Sequence, residues 1–180
     1  MAAGGTIRGS LERVDASLLG ALRTHGHWAP FERAVAEFSR SGEHSRLWLA
    51  AGAAGAVLQP ARRGLYLRLV LTVCSVEVAN AVTKLVVGRR RPVLDGLPPL
   101  AAVRSPRSFP SAHAATSFAA ARMLAQALPP APVYAVAGLM ASSRAYLGVH
   151  YPSDVVGGIA LGLAIAEVWR GTKASTARGR

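Results

Sequence analysis

The sequence predicts an all-α integral membrane protein: a helical bundle of about five apolar helices preceded by short amphipathic N-terminal helices. Three observations predict it. First, of 180 residues 51% are hydrophobic and only 17% are charged, a composition far from that of a disordered segment and sufficient for one buried core. Second, 21 Lys and Arg against 9 Asp and Glu give a formal charge of +12, yet the mean hydropathy is +0.28 and the pI is near 11.5. Nucleic-acid binders are basic but polar, whereas a small membrane protein with basic loops is both greasy and basic. No nucleic-acid partner is therefore expected. Third, the apolar residues fall in helix-length blocks separated by Pro, Gly and Arg. The single cysteine, Cys74, excludes an internal disulfide framework and a Cys-based zinc site.

The elements follow in order. Met1 to Thr6 lacks the charged start and apolar run of a cleaved signal peptide. Leu11, Val14, Leu18, Leu19 and Leu22 form a 3.6-period stripe, with Glu12, Arg13, Asp15 and Arg23 on the other face. Trp28, Phe31, Val35 and Phe38 repeat the pattern beyond a His-Gly-His break, giving two amphipathic helices that lie on a membrane surface or against other helices. Leu47 to Gln59 is uncharged and stops at Pro60; it is short for a hydrocarbon core of roughly 30 Å, so it extends through Ser45 or sits in a thinned region. Gly64 to Val87 is longer but contains Arg68, Glu77 and Lys84, which must face protein or water.

Residues 88–110 form an Arg-, Pro- and Gly-rich loop, and Ser111 to Leu128, Ala131 to Leu147 and Asp154 to Trp169 read as three further helices. Gly158 and Gly162 are spaced for close helix approach. Trp48 and Trp169 stand near helix ends, as interfacial tryptophans do. No repeat or long linker divides the chain. It reads as one domain over 1–180, with amphipathic helices at 1–45, a helical core at 46–169 and a basic, flexible tail at 170–180.

Three polar strings interrupt the apolar texture. In Lys84-Leu-Val-Val-Gly-Arg-Arg-Arg91-Pro92 the cations Lys84 and Arg91 are seven apart, two helical turns, so both project from one face toward a helix end. In Pro110-Ser111-Ala112-His113, Ser111 is a good N-cap and the free amides behind it suit a phosphate. In Ser143-Arg144-Ala-Tyr-Leu-Gly-Val-His150-Tyr-Pro-Ser-Asp154, Pro152 opens a helix and places Asp154 within reach of the His150 imidazole. An isolated Arg more than a turn inside an apolar helix is costly, which argues for a use for Arg144. A helix out from His113 and a helix back to Arg144 bring both to one level, so the three strings converge on one membrane face. Arg89 and Arg90 either bind substrate or meet anionic headgroups. Glu77 and Asn80 share the Lys84 face, where a structural hydrogen bond is the expected use. His25, His27 and His44 have no motif around them and read as solvated.

These strings, in this order and spacing, resemble the phosphatidic acid phosphatase type 2 superfamily over residues 84–154. Ala112 departs from the Gly usual there, which puts in doubt any backbone angle that only Gly accepts. The resemblance implies a phosphatase in which His150 attacks phosphorus to form a phosphohistidine and Asp154 holds its ring. His113 protonates the leaving oxygen and later activates water. Lys84, Arg91, Ser111, Ala112 and Arg144 bind the phosphoryl oxygens, with Glu77, Asn80 and Arg90 as candidates for support. Fixed donors replace a metal, and no cofactor or metal is expected.

Compact members of the family resemble bacterial polyprenyl phosphatases, which implies a phosphorylated lipid as partner in the bilayer. Candidates are a polyprenyl diphosphate or decaprenylphosphoryl-5-phosphoribose. Phosphatidic acid or phosphatidylglycerol phosphate is the alternative. A vanadium haloperoxidase shares the motifs but is larger and soluble, and a non-enzymatic basic lipid-binding protein leaves the His-Asp pair unexplained. The Ala/Arg-rich composition fits a high-GC bacterium, hence a multi-pass protein of the plasma membrane. Arg62, Arg63, Arg170, Lys173, Arg178 and Arg180 fall opposite the site, which by the positive-inside tendency puts the catalytic face outside. The N-terminal arm opposes that orientation if it lies on the catalytic side.

Overall fold

The computed structural model describes residues 3–103 and 105–176, with side chains described for 9–103 and 105–171. Among these the regular structure is helical: α1 (Ala3–Thr24), α2 (Ala29–Ser41), α3 (Arg46–Leu58), α4 (Arg63–Val87), α5 (Ala112–Leu124), α6 (Pro130–Tyr146) and α7 (Pro152–Thr176). The last helix runs past the expected stop at Trp169, so the tail predicted from residue 170 is helical to Thr176. Arg178 and Arg180 lie outside the described residues, as does the side chain of Lys173.

Each boundary has a local cause. Gly88 ends α4 in the left-handed conformation (φ 65°), which glycine adopts without a Cβ penalty, and its N–H donates the closing bond to the Lys84 carbonyl. Pro130 and Pro152 open α6 and α7 at the first helical position, where a missing N–H costs nothing. Between α2 and α3, His44 (φ 52°) and Ser45 (φ 56°) are both left-handed without being glycine. Ser45 is therefore outside α3, which does not extend through it.

The axis of the bundle is α5, which packs against α3, α4, α6 and α7. Its residues from Ala114 to Ala121 are buried apart from Phe118. Small side chains make this possible. A Cβ on Gly158 would stand 2.4 Å from the Ser111 carbonyl oxygen, and one on Gly162 would stand 2.0 Å from that of Ala115, so α7 lies against α5 almost backbone to backbone. Away from the site, Trp48, Tyr66, Leu69, Val73, Met123 and Leu124 form a larger core. Trp48 is thus not interfacial: it is 4% exposed and its indole N–H donates to Ser117 Oγ at 2.9 Å.

The exterior is apolar. Pro60–Val87 and Pro152–Gly171 are long and apolar enough to cross a membrane, and Leu71, Val78, Val82, Leu85 and Val86 of α4 face outward, as lipid-facing residues do. The other core helices, at 13 to 17 residues, are shorter than the roughly 20 residues that span a full hydrocarbon core. Helices α1 and α2 lie across the end of the bundle formed by the C-termini of α4 and α6 and the N-termini of α5 and α7. Leu11, Val14, Leu18, Trp28 and Phe31 remain exposed on them. The arm therefore sits on the side of the three polar strings. It carries as many carboxylates (Glu12, Asp15, Glu32, Glu37, Glu43) as guanidinium groups (Arg13, Arg23, Arg33, Arg40, Arg46) over residues 9–46.

Candidate active site

One cavity of about 190 Å³ gathers Lys84, Arg91, Ala112, His113, Arg144 and His150, with Glu77, His44 and Glu43 also in its wall. Three chain segments that are far apart in sequence meet there. The loop between α4 and α5 folds back as a short ladder, in which Arg91 N–H donates to Pro106 O (3.1 Å) and Ser108 N–H to Arg89 O (2.8 Å).

Arg91 does not reach the cavity from a helical face, as the sevenfold spacing suggests. Helix α4 stops at Val87, and Arg91 stands on the extended loop. Its guanidinium is held by the carbonyls of Ser105 (2.7 Å) and Val149 (2.6 Å) and lies 3.2 Å from His150 Nε2. Lys84 Nζ donates to the carbonyls of Arg107 (3.2 Å) and Ser108 (3.3 Å). Arg144 lies in the last turn of α6 rather than well inside it. It donates to Ser39 Oγ at 2.5 Å, and its Nε is buried without a partner.

His150 stands between α6 and α7 and is 2% exposed. Its Nδ1 is 3.4 Å from Asp154 Oδ2, longer than a formed hydrogen bond, while Nε2 faces the Arg91 guanidinium. Burial pushes the imidazole down to about 3, against the opposing pull of Asp154 and with the help of Arg91, Arg144 and Lys84. The ring is therefore neutral near pH 7 and keeps a nitrogen lone pair. Asp154 is fully buried; Oδ2 accepts the Tyr151 N–H (2.9 Å) and Oδ1 the Arg89 guanidinium (2.8 Å).

His113 Nε2 is 3.2 Å from the Ser39 carbonyl. A carbonyl only accepts, so Nε2 carries the proton and Nδ1 is the ring nitrogen left without one. Ser111 starts α5 without a side-chain cap bond; its Oγ is buried and unpartnered, while its amide is tied to the Asp154 carbonyl at 2.9 Å. Orphaned polar atoms at Ser111 (Oγ) and Arg144 (Nε), beside cations held mainly by neutral oxygens, suit an anion; the orphaned atom of His150 is Nδ1, on the Asp154 side of the ring.

The supporting residues divide. Asn80 is 2% exposed and donates to Pro110 O at 3.1 Å, fixing the loop before Ser111. Glu77 does not form an ion pair with Lys84: its Oε1 accepts Ser45 Oγ–H at 2.5 Å. Arg90 lies outside this cavity and lines an adjoining cleft. Two histidines are not simply solvated, since His44 lines the cavity and His27 stacks on Tyr146 and meets Glu32 at 3.0 Å.

With this geometry in place, the PAP2 superfamily pattern matches residues 65–175. The chain belongs to the PAP2 superfamily. It is 46% identical over 127 residues to the decaprenylphosphoryl-5-phosphoribose phosphatase of Mycolicibacterium smegmatis, a match covering 70% of this chain and 68% of that one. Identity to the protein of the same name from Mycobacterium tuberculosis is 40% over 134 residues, or 72% and 73% of the two chains. The phosphatidylglycerolphosphate phosphatase of Bacillus subtilis superposes with a TM-score of 0.75 over 95% of this chain and 90% of its own, at 25% identity. Aquifex aeolicus LpxE shares the fold, with a TM-score of 0.73 at 23% identity over 86% and 93%. This PAP2 chain is accordingly a membrane phosphatase of all-helical fold.

Sequence reasoning missed how this PAP2 site is braced. Ser39 of α2 receives Arg144 and Ser143 on its hydroxyl and His113 on its carbonyl. Asp15 of α1, only 5% exposed, accepts Arg89 at 2.7 Å and the Ser153 amide at 3.0 Å, together with the Ser153 hydroxyl. Although burial alone would raise it, those bonds hold the Asp15 carboxyl below the usual carboxylate range. Asp15 stands on the polar side of an amphipathic stripe, where nothing separates a brace from a solvated residue.

Proposed function

We propose that this PAP2 phosphatase removes the terminal phosphate of a polyprenyl-linked sugar phosphate, with decaprenylphosphoryl-5-phosphoribose as substrate. The observation that carries the chemistry is His150, neutral and buried, with Nε2 turned to a cavity walled by Lys84, Arg91 and Arg144. The substrate reading rests on the relatives that bear that name at 40–46% identity.

In the first step His113 carries a second proton, on Nδ1, which the bound phosphate dianion stabilises; His150 Nε2 bonds to phosphorus while the phosphorus–oxygen bond to ribose breaks, and that Nδ1 proton passes to the departing oxygen. In the second, His113 takes a proton from water, the water oxygen bonds to phosphorus, and the phosphorus–nitrogen bond breaks to release inorganic phosphate. Lys84, Arg91, Arg144 and Ser111 hold the equatorial oxygens, and the Ala112 segment closes the cradle at the start of α5. Asp154, 3.4 Å from Nδ1, orients the ring and stabilises the positive charge that it gains when Nε2 bonds to phosphorus. A wall of three cations repels a divalent metal, so the reaction is read as metal-independent.

The setting is the bacterial plasma membrane, crossed more than once. Arg62, Arg63 and Arg170 flank the apolar spans at the far face, and the charge-balanced arm lies at the near face, which supports an extracytoplasmic site. Phosphatidylglycerol phosphate is the second reading, favoured by the Bacillus subtilis structure.

The test is phosphate release from detergent-solubilised decaprenylphosphoryl-5-phosphoribose, decaprenyl diphosphate and phosphatidylglycerol phosphate, with chelator present. The sugar phosphate is expected to turn over fastest. His150→Ala abolishes release, and His113→Ala and Asp154→Asn each lose about 10²- to 10⁴-fold. An active His150→Ala variant ends the nucleophile assignment, preference for the glycerol lipid transfers the substrate to the second reading, and dependence on added metal refutes the metal-free step.

A further inference from the structure

Beside the catalytic cavity lies a cleft of about 850 Å³, and Arg91 and Val103 line both. Its walls are apolar, with Pro92, Leu94 and Leu97 among them, and among the described residues no carboxylate lines it. Two further guanidinium groups do, those of Arg90 and Arg107, and these residues face each other across an isolated antiparallel bridge. Directly opposed residues on such a ladder put their side chains on one face, where like charges destabilise the pair. Among the described residues neither forms an ion pair with a carboxylate, in contrast to Arg89 one position earlier. Two facing cations in a cleft of hydrocarbon walls are relieved by an anion whose substituent is apolar.

We propose that Arg90 and Arg107 bind the second phosphoryl group of the substrate, the diester that joins ribose to the polyprenyl chain, with the first isoprene units against the apolar wall. This rests on the sugar-phosphate reading above, since such a substrate carries one phosphoryl group on each side of its ribose. Arg91 then stands between the two sites, with the scissile phosphate against His150 and the diester one sugar ring away. The pair makes the enzyme selective for a diphosphorylated headgroup over a lipid with a single phosphate.

Two probes test it: farnesylphosphoryl-5-phosphoribose, and farnesyl 5-phosphoribofuranoside, which has the same scissile phosphate but joins the chain to the sugar without a diester. Both are presented in neutral detergent and again with anionic phosphatidylglycerol, which separates substrate binding from capture of a bulk headgroup. Wild type is expected to favour the diester in kcat/KM by about tenfold to a hundredfold, in neutral detergent as well as with anionic lipid. Arg90→Gln and Arg107→Gln each shrink that ratio, and Arg→Lys at either position restores part of it. Equal turnover of both probes by wild type, or a ratio that the Gln variants leave intact, overturns the second site while the phosphatase reading stands. A preference that appears only with phosphatidylglycerol present assigns the arginines to bulk lipid and overturns it too. If wild type hydrolyses neither probe, the sugar-phosphate reading fails and this inference falls with it.

Discussion

Arg89 is predicted to be the residue through which the N-terminal helix controls the setting of His150. Its guanidinium bridges Asp154 Oδ1 at 2.8 Å and Asp15 Oδ2 at 2.7 Å, and it lies 4.2 Å over the Tyr151 ring. Arg89→Gln leaves two carboxylates, with side chains 7% and 0% exposed, without their shared cation. Breaking a buried pair in this way costs about 3–5 kcal/mol. Asp15→Asn is milder, because Arg89 keeps Asp154 and one amide oxygen still accepts from Ser153; loss of the charged bond costs about 1.5–3 kcal/mol. Both loosen Asp154 beneath His150, so kcat falls together with stability. The assay is thermal unfolding in detergent alongside phosphate release for Arg89→Gln, Asp15→Asn and the double variant. Sharing one network, the two changes are expected to be non-additive by about 0.5–3 kcal/mol. Additive effects, or an Asp15→Asn protein with wild-type melting and wild-type kcat, refute the coupling.

Three further outcomes are expected. Substituting Gly162 by Ala places a Cβ 2.0 Å from the Ala115 carbonyl oxygen, so the α5–α7 contact must open at a cost of about 1–3 kcal/mol; an unchanged melting temperature contradicts the close approach. Removing the Ser39 hydroxyl (Ser39→Ala) takes the acceptor from Arg144 and is expected to raise KM more than it lowers stability, and an unaltered KM shows that Arg144 is positioned without α2. With its folded pKa held down near 3, below the unfolded value of about 6.5, His150 stabilises the fold above pH 6.5 and loses that contribution as pH falls toward 3. Its ¹⁵N ring shifts, assigned by difference against His150→Gln, should stay those of a neutral imidazole to pH 4; a midpoint near 6 refutes the buried neutral ring.

How much of this could be read in advance depends on whether the determinant is local. Helix class and order follow from periodicity and from punctuation by Gly88, Pro130 and Pro152, which act on their own turns. The meeting of the three polar strings was legible because spacing within a string is local and the return path of two helices is nearly fixed by their rise. Arg91 shows the limit: a spacing of seven is equally compatible with a helix face and with an extended hairpin, and Gly88 decided for the latter. Trp48 shows another, since a tryptophan near a helix end is interfacial or buried according to a partner, here Ser117, that lies 69 residues away. The braces from Asp15 and Ser39 cross 138 and 105 residues to Ser153 and Arg144, and no pattern around either residue distinguishes it from a surface polar group.

The +12 charge is better understood by what holds each cation than by where it falls in the sequence. Arg40, Arg46, Arg89, Arg122 and Arg170 meet carboxylates, so their charge is already answered within the fold. Lys84, Arg91 and Arg144 are fixed by carbonyl and hydroxyl oxygens, which hold a cation in place without neutralising it. A guanidinium placed this way keeps its field for an incoming anion and need not reorganise to receive it. Neutral holding alone is not the signature. Arg23 also donates to carbonyls, those of Pro98 and Tyr146, but it lines neither cavity and packs beneath Gly148, where it pins α1 to the loop. The site is marked by the conjunction of neutral holding, a cavity wall and orphaned polar atoms at Ser111 and Arg144. An anion is the kind of group that completes such an arrangement.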